Sequence, residues 1–378
     1  VNGTKANHQD PLWVKKPNEV KNEAYEEFYQ TMFGFGEPPL FWIHLNVDYP
    51  FNLKGILYFP KVKHEMDMQR SQLHLYCNQV FVTDNAKEVV PEFLTLLRGA
   101  IDCPEIPLNV SRSYLQKDPY VQKISQHIVK KVADKLKALY TKDRANFETY
   151  WEDIHPFIKY GMMQNDSFYD KLKDVVIFKS SKGEVTSIED YLKRNETLLK
   201  DTVLYCSDQE AQATYVNYCK EHGLEVIFLQ AVIDSHFLSF LESKNDKVKF
   251  KSIDSDLSEH LVEETKGEDK ESEASKEKTA QSEKLSDIYK QALNDDKLKL
   301  DVKNLKSASL PAMLLQSEQA KRMESMSSFM QGAQFPKDMF QDFTLVLNAN
   351  NELNKNIISL SKDAKNEDTV TSLCQQVY

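Results

Sequence analysis

The sequence predicts a multidomain protein of the α/β and α+β classes. Three observations predict it. Apolar and polar residues alternate between positions 40 and 84, which gives strands, and long amphipathic helices follow. Short apolar runs alternate with helical segments between 175 and 254, the pattern of a second, smaller α/β unit. A charged stretch at 256–284 then sets off a last α+β segment at 285–378. At about 100–200 residues per domain, 378 residues give room for two or three domains.

Each element has a local reason. "NEVKNEAYEEFYQTMF" predicts a helix with Tyr25, Phe28, Tyr29 and Met32 on one side. "WIHLNVDY" sets Ile43, Leu45, Val47 and Tyr49 against His44, Asn46 and Asp48, a half-buried strand. "LKGILYF", after a turn with Pro50 and Asn52, is a second strand. "LHLYCNQVFVTD" is a third, and the three read as a meander. "VPEFLTLLRG" reads as a helix, with Pro91 in its first turn, Arg98 in its last and Gly99 as its stop. Asp118 caps a long helix with Pro119 in the first turn. Its face is Ile124, Ile128, Val132, Leu136 and Leu139. Further helices are predicted at about 142–158 and 166–174.

In the second unit "VVIF", "TVLYC", "EVIFL" and "VKFKSI" are strands. Between them lie the helices "SIEDYLKR", with Ser187 as N-cap and Asp190 three residues on, "DQEAQATYVNYCKEHG" and "DSHFLSFLES". Such alternation implies a parallel sheet. Residues 256–284 are rich in Glu, Lys and Ser and read as a solvated linker, helical or disordered. In the last segment "LSDIYKQAL" and "EQAKRMESMSSFM" are helices, and "KLKLDVKNL", "PAMLLQ" and "FTLVLN" are strands. A final helix carries Val370, Leu373 and Val377 with no cap after it. With Val1 at the start, the chain reads as a fragment of a longer protein.

Composition excludes several classes. Asp and Glu number 58 against 48 Lys and Arg, a net charge of −10. No nucleic-acid partner is expected. No apolar run approaches the roughly 20 residues that span a membrane, and the first residues, "VNGTKANHQD", are polar, unlike a signal peptide. Five scattered cysteines without a CxxC pair fit reduced thiols and a cytoplasmic setting. The histidines form neither HxH nor HxxxH, so no metal site is expected. No serine lies in a GxSxG setting, and with ten glycines no phosphate loop is visible.

Three features carry alternative readings. Arg112, in "PLNVSRSYLQ", either braces its own loop or serves a phosphoryl group held by another domain. Gln116, four residues on, faces the same way if the segment is helical. Trp13, in "DPLWVKKP", either anchors its segment or grips a partner. Met323, Met326 and Met330 recur at i, i+3 and i+7 with Phe329 adjacent, either as core or as an adaptable binding face.

"LWVKKP", "VFVTDN…VVPEFLTLLRGAIDCPEIPLNVSRSYLQ", "IVKKVADKL" and "PAMLLQSEQAKRMESMSSFM" together resemble the ninety-kilodalton heat-shock chaperone family, in its bacterial form. The likeness runs in order from about Trp13 to the end. It implies a large αβα part of a middle domain at 1–174, similar to ribosomal protein S5 domain 2, and a small αβα part at 175–255. A charged linker at 256–284 and a truncated C-terminal dimerisation and client domain at 285–378 would follow. Members are dimeric clamps that close on ATP with Mg and act on unfolded or partly folded clients. The N-terminal ATPase domain of the same chain would be this region's partner. By resemblance, Arg112 reaches the ATP γ-phosphate across the domain boundary, with Gln116 in the same catalytic loop. Client contact falls on Trp13, Met323, Met326, Phe329 and Met330. The family usually has Glu after the loop arginine, and here Ser113 stands there. The rival reading is a stand-alone interaction scaffold that never meets ATP.

Overall fold

Alternation in "FWIHLNV" is realised as strand β1 (Phe41–Val47), whose inward residues Phe41, Ile43 and Leu45 are buried. The computed structural model describes residues 11–34, 36–61, 72–84, 86, 89–106, 119–255, 273–295, 298–329 and 342–378, with the backbone alone at 273–279 and 324–329. The chain divides into two units, Val1–Ile177 and Phe178–Tyr378.

The first unit is built on a five-stranded mixed sheet. It comprises β1, β2 (Leu53–Phe59), β3 (Gln72–Cys77), β4 (Val80–Thr83) and β5 (Arg98–Asp102) in the order β1-β2-β5-β3-β4. β5 runs antiparallel to β2 and parallel to β3. Helix α1 (Asn22–Phe33) covers one face, packing Tyr25 and Tyr29 with Trp13 against Ile56, Tyr58 and Ala100. Helices α2 (Pro119–Lys142), α3 (Arg144–Gln164) and α4 (Asp166–Leu172) pack on one another, and α2 packs against β1. Along α2 the predicted face holds: Ile124, Ile128, Val132 and Leu136 are buried, and Leu139 is half-buried.

Three expectations are corrected by the structure. The segment read as a helix from Pro91 to Gly99 contains only a 3₁₀ turn at Glu92–Leu94, and Arg98–Asp102 is the central strand of the sheet. Backbone pairing with strands on both sides outweighs a helical pattern too short to sustain itself. Gly99 is needed for a different reason than ending a helix. Its φ is +142°, and a Cβ there would lie 1.9 Å from the Ile56 carbonyl oxygen. The expected meander is interrupted by β5, and "LHLYCNQVFVTD" is a hairpin rather than one strand. Asn78 and Gln79 turn it at φ 49° and 65°, as a tight two-residue hairpin requires. Gln79 N donates to Asp102 Oδ2 at 3.0 Å, which holds this uncommon conformation.

The second unit carries two sheets. One contains β6 (Ile177–Ser180), β7 (Val185–Ser187), β8 (Thr202–Cys206), β9 (Val226–Phe228) and β10 (Lys249–Ser252) in the order β10-β8-β9-β6-β7. β10, β8 and β9 are parallel as expected, but β6 runs antiparallel to β9, so the sheet is mixed. The intervening helices are α5 (Ile188–Asn195), α6 (Ala213–Glu221) and α7 (Ile233–Lys244). Ser187 caps α5 as its sequence indicates, accepting from Asp190 N at 3.1 Å.

Helix α8 (Glu273–Leu293) leads to the other sheet. This comprises β11 (Lys299–Lys303), β12 (Ala312–Gln316) and β13 (Phe343–Asn348) in the order β11-β13-β12, with β11 parallel and β12 antiparallel to β13. Helices α9 (Glu318–Phe329), α10 (Glu352–Leu360) and α11 (Glu367–Val377) complete the unit. Its core gathers Leu285, Tyr289, Leu345, Leu347, Ile357, Val370 and Cys374. Tyr289 Oη, inside that core, donates to Asn354 Oδ1 at 2.8 Å.

Candidate functional site

The segment bearing Arg112 follows the C-terminal end of β5, the middle strand of the first sheet. A tied turn, Cys103–Ile106, leads into it. Cys103 N donates to Tyr76 O at 3.1 Å, and Ile106 N to Cys103 O at 3.3 Å. Glu105 accepts from Asn52 N at 3.0 Å and from Cys103 Sγ at 3.2 Å. Burial, then the Glu105 carboxylate, pushes the Cys103 thiol up to about 12, so it stays protonated and serves as a donor. Arg112 and Gln116 themselves lie outside the described residues, and the chain resumes at Pro119, the start of α2.

Trp13 is placed as an anchor. It is 5% exposed, and its ring meets Phe28 edge-on at 5.7 Å and Tyr76 at 4.7 Å. Its indole Nε1 donates to Asp102 Oδ2 at 3.2 Å. A free gripping surface is therefore not what the ring presents. Instead, it contributes to the wall of a shallow groove with Leu12, Phe28, Met32 and Tyr76.

Of the methionine stripe, Met323 is 41% exposed on α9. Met326 and Phe329 lie further along the same helix, where only the backbone is described, and Met330 lies outside the described residues. Trp13 belongs to the first unit and Met323 to the second.

A charged cluster at the start of α9 is not evident as a whole in the sequence. Arg322 Nε donates to Glu318 Oε1 at 2.9 Å, and Arg322 Nη1 to Glu242 Oε2 at 2.5 Å. Tyr205 Oη donates to Glu318 Oε1 at 2.7 Å, and Lys321 pairs with Asp254. Burial alone would lower the Arg322 pKa, but its bonds to Glu242 and Glu318 outweigh that and hold it above its ordinary value. The Glu318–Arg322 spacing of i, i+4 is visible in "SEQAKRMES". Glu242 is 80 residues away, so the trio is not.

Among the described residues no group of three or more His, Cys, Asp or Glu side chains is placed to hold a metal ion. Among them, no helix is long and apolar enough to cross a membrane.

These features define a class: a mixed-sheet α/β chain with a tied turn at the end of its central strand, followed by an α+β region bearing a methionine-rich helix. The model of the Hsp90 protein family matches residues 1–378, and the chain belongs to that family. It is similar to the chaperone protein HtpG of Bacteroides fragilis, 42% identical over 361 residues, which covers 92% of this chain and 52% of that protein. HtpG of Porphyromonas gingivalis is 39% identical over 368 residues, 95% of this chain and 53% of that one. HtpG of Bdellovibrio bacteriovorus is 31% identical over 254 residues, 65% and 40% respectively. The chain spans about half the length of the Bacteroides and Porphyromonas relatives.

Proposed function

We propose that this chain is the middle and C-terminal region of an ATP-dependent chaperone clamp that binds unfolded or partly folded proteins. The observation that carries the reading is the Hsp90 family match over all 378 residues. In this reading the five-stranded sheet with α1–α4 and the sheet of β6–β10 are the two αβα parts of the middle domain. Residues 285–378 belong to the C-terminal domain. The whole protein is a cytoplasmic homodimer.

Arg112 then completes a site whose nucleotide pocket lies on an N-terminal ATPase domain of the same chain. ATP with Mg supplies the phosphoryl group to be cleaved there. The arginine stabilises negative charge developing on the γ-phosphate, and Gln116 sits beside it. The glycines support an external pocket. Among the described residues those with positive φ are Gly34, Gly99, Gly183 and Gly223. They serve the ends of α1 and α6, the turn between β6 and β7, and the close approach of the paired strands β5 and β2, and none opens a helix after a strand. The tied turn at Cys103–Ile106 gives the loop a firm base, which suits an arginine that must reach a fixed point.

Clients are held by apolar surface: the groove beside Trp13 and the methionine-rich segment that carries Met323, Met326, Phe329 and Met330. Light scattering of a heat-denatured protein tests this. The chain is expected to suppress scattering and Met326→Glu to suppress it less. Equal suppression by both would remove α9 from client binding, and none by the unaltered chain would remove the chaperone role.

A further inference from the structure

Among the described residues β10 pairs with β8 alone and is the open edge of its sheet. In a parallel ladder, alternate residues turn their N–H and C=O to the neighbour, and the residues between turn theirs away. Lys249 N and Ile253 N donate towards β8, to Asp201 O and Tyr205 O at 2.9 Å each. Phe250 and Ser252 therefore face outward. A bare edge of this kind recruits another strand.

Here side chains occupy the outward groups. Glu242 Oε1 accepts from Phe250 N at 2.8 Å, Glu318 Oε2 accepts from Ser252 N at 2.8 Å, and Arg322 Nη2 donates to Phe250 O at 3.0 Å. Two carboxylates and a guanidinium thus present the acceptors and donor that a neighbouring strand would present. Arg322 also binds both carboxylates, so one cation keeps the set together. Two of the three side chains belong to α9, the helix that carries the methionine stripe.

We propose that the edge of β10 is a strand-addition site for extended client segments, plugged in this structure by Arg322, Glu242 and Glu318. This rests on the chaperone reading and names the client chemistry of one site. Displacing α9 withdraws Glu318 and Arg322, which frees Ser252 N and Phe250 O and leaves Glu242 of α7 alone on Phe250 N. Strand addition then supplies hydrogen bonds that are blind to client sequence, as an unfolded-protein binder needs. The groove at this edge, about 620 Å³, is also lined by Phe250 and Met323, and by Lys249 and Lys251. Those lysines share one face of the strand. An added strand with carboxylates opposite them gains cross-strand pairs, so the favoured segment alternates acidic and apolar residues.

Fluorescence anisotropy of a labelled ten-residue peptide alternating glutamate and valine tests the proposal on the 378-residue chain. Arg322→Ala is expected to bind it about tenfold more tightly than the unaltered chain, because the plug loses its donor and the cation that keeps its two carboxylates together. Two further peptides carry N-methyl groups at every valine or at every glutamate. Strand addition through one edge blocks one of them and tolerates the other. Unchanged or weaker binding by Arg322→Ala, or equal binding of the two methylated peptides, overturns the proposal. Should circular dichroism show Arg322→Ala unfolded, Arg322→Lys, which lacks the planar fork, is expected to bind severalfold more tightly than the unaltered chain. No gain overturns the proposal equally. Suppression of aggregation by the unaltered chain alongside such a failure leaves the chaperone reading standing without this site.

Discussion

The indole N–H of Trp13 donates to Asp102 Oδ2 at 3.2 Å, across 89 residues of chain. Gln79 N donates to the same oxygen at 3.0 Å. One buried carboxylate therefore ties the first segment and the β3–β4 turn to the end of the central strand, just ahead of the tied turn at Cys103–Ile106. Trp13→Phe keeps most of the ring packing against Phe28 and Tyr76 but removes the donor. It is expected to cost about 1–2 kcal/mol, the range for leaving a buried acceptor short of a partner. A lowered urea midpoint with an unchanged slope would show it.

Gly99 and Gly34 are expected to respond very differently to alanine. At Gly99 a Cβ would meet the Ile56 carbonyl at 1.9 Å, and neither backbone can retreat without opening the β2–β5 ladder. Gly99→Ala should cost more than about 4 kcal/mol and leave little folded protein. At Gly34, φ is +82° and ψ 175°, a conformation essentially confined to glycine, but nothing lies within 4 Å, so only the backbone is penalised. Gly34→Ala should cost roughly 1–3 kcal/mol. Thermal melts of the two variants check both.

That contrast shows where the sequence is readable. The face of α2 repeats every three to four residues, and Ile124, Ile128, Val132 and Leu136 are buried as the pattern requires. Ser187 and Asp190 mark a helix start because capping is local chemistry. β5 is not legible in the sequence, because "VPEFLTLLRG" carries genuine helix-end signals while its capture by β2 and β3 is non-local. The hairpin at Asn78–Gln79 was hidden because glutamine seldom adopts positive φ, and Asp102, supplied from elsewhere, stabilises it. The Arg322 cluster joins side chains from α7 and α9 to the backbone of β10, and no local pattern encodes that.

Glu225 gives a pH signature. Burial alone would raise its carboxyl, but hydrogen bonds from Arg194, Asn195 and Ser180 outweigh that and lower it to about 2. Arg194 Nη2 stands 2.7 Å from Oε1, and Asn195 Nδ2 is 2.9 Å from Oε2. With the folded pKa below the unfolded one, the stabilisation is fully present above the ordinary carboxylate pKa. It is lost as pH falls towards about 2. Its size is roughly 2–3 kcal/mol, discounted for the solvent around Arg194. Urea midpoints of the unaltered chain should fall between about pH 5 and pH 3, and those of Glu225→Gln should fall less over the same interval. Parallel slopes would remove Glu225 from the acid response.

The central claim is that Arg112 serves a nucleotide bound by a domain beyond these 378 residues. The chain alone is expected not to turn over ATP. The most direct test is steady-state ATP hydrolysis by the full-length protein with and without Arg112→Ala, alongside ATP binding measured by calorimetry. The account predicts turnover reduced by about two orders of magnitude or more with binding retained. Turnover equal to that of the unaltered protein would contradict it.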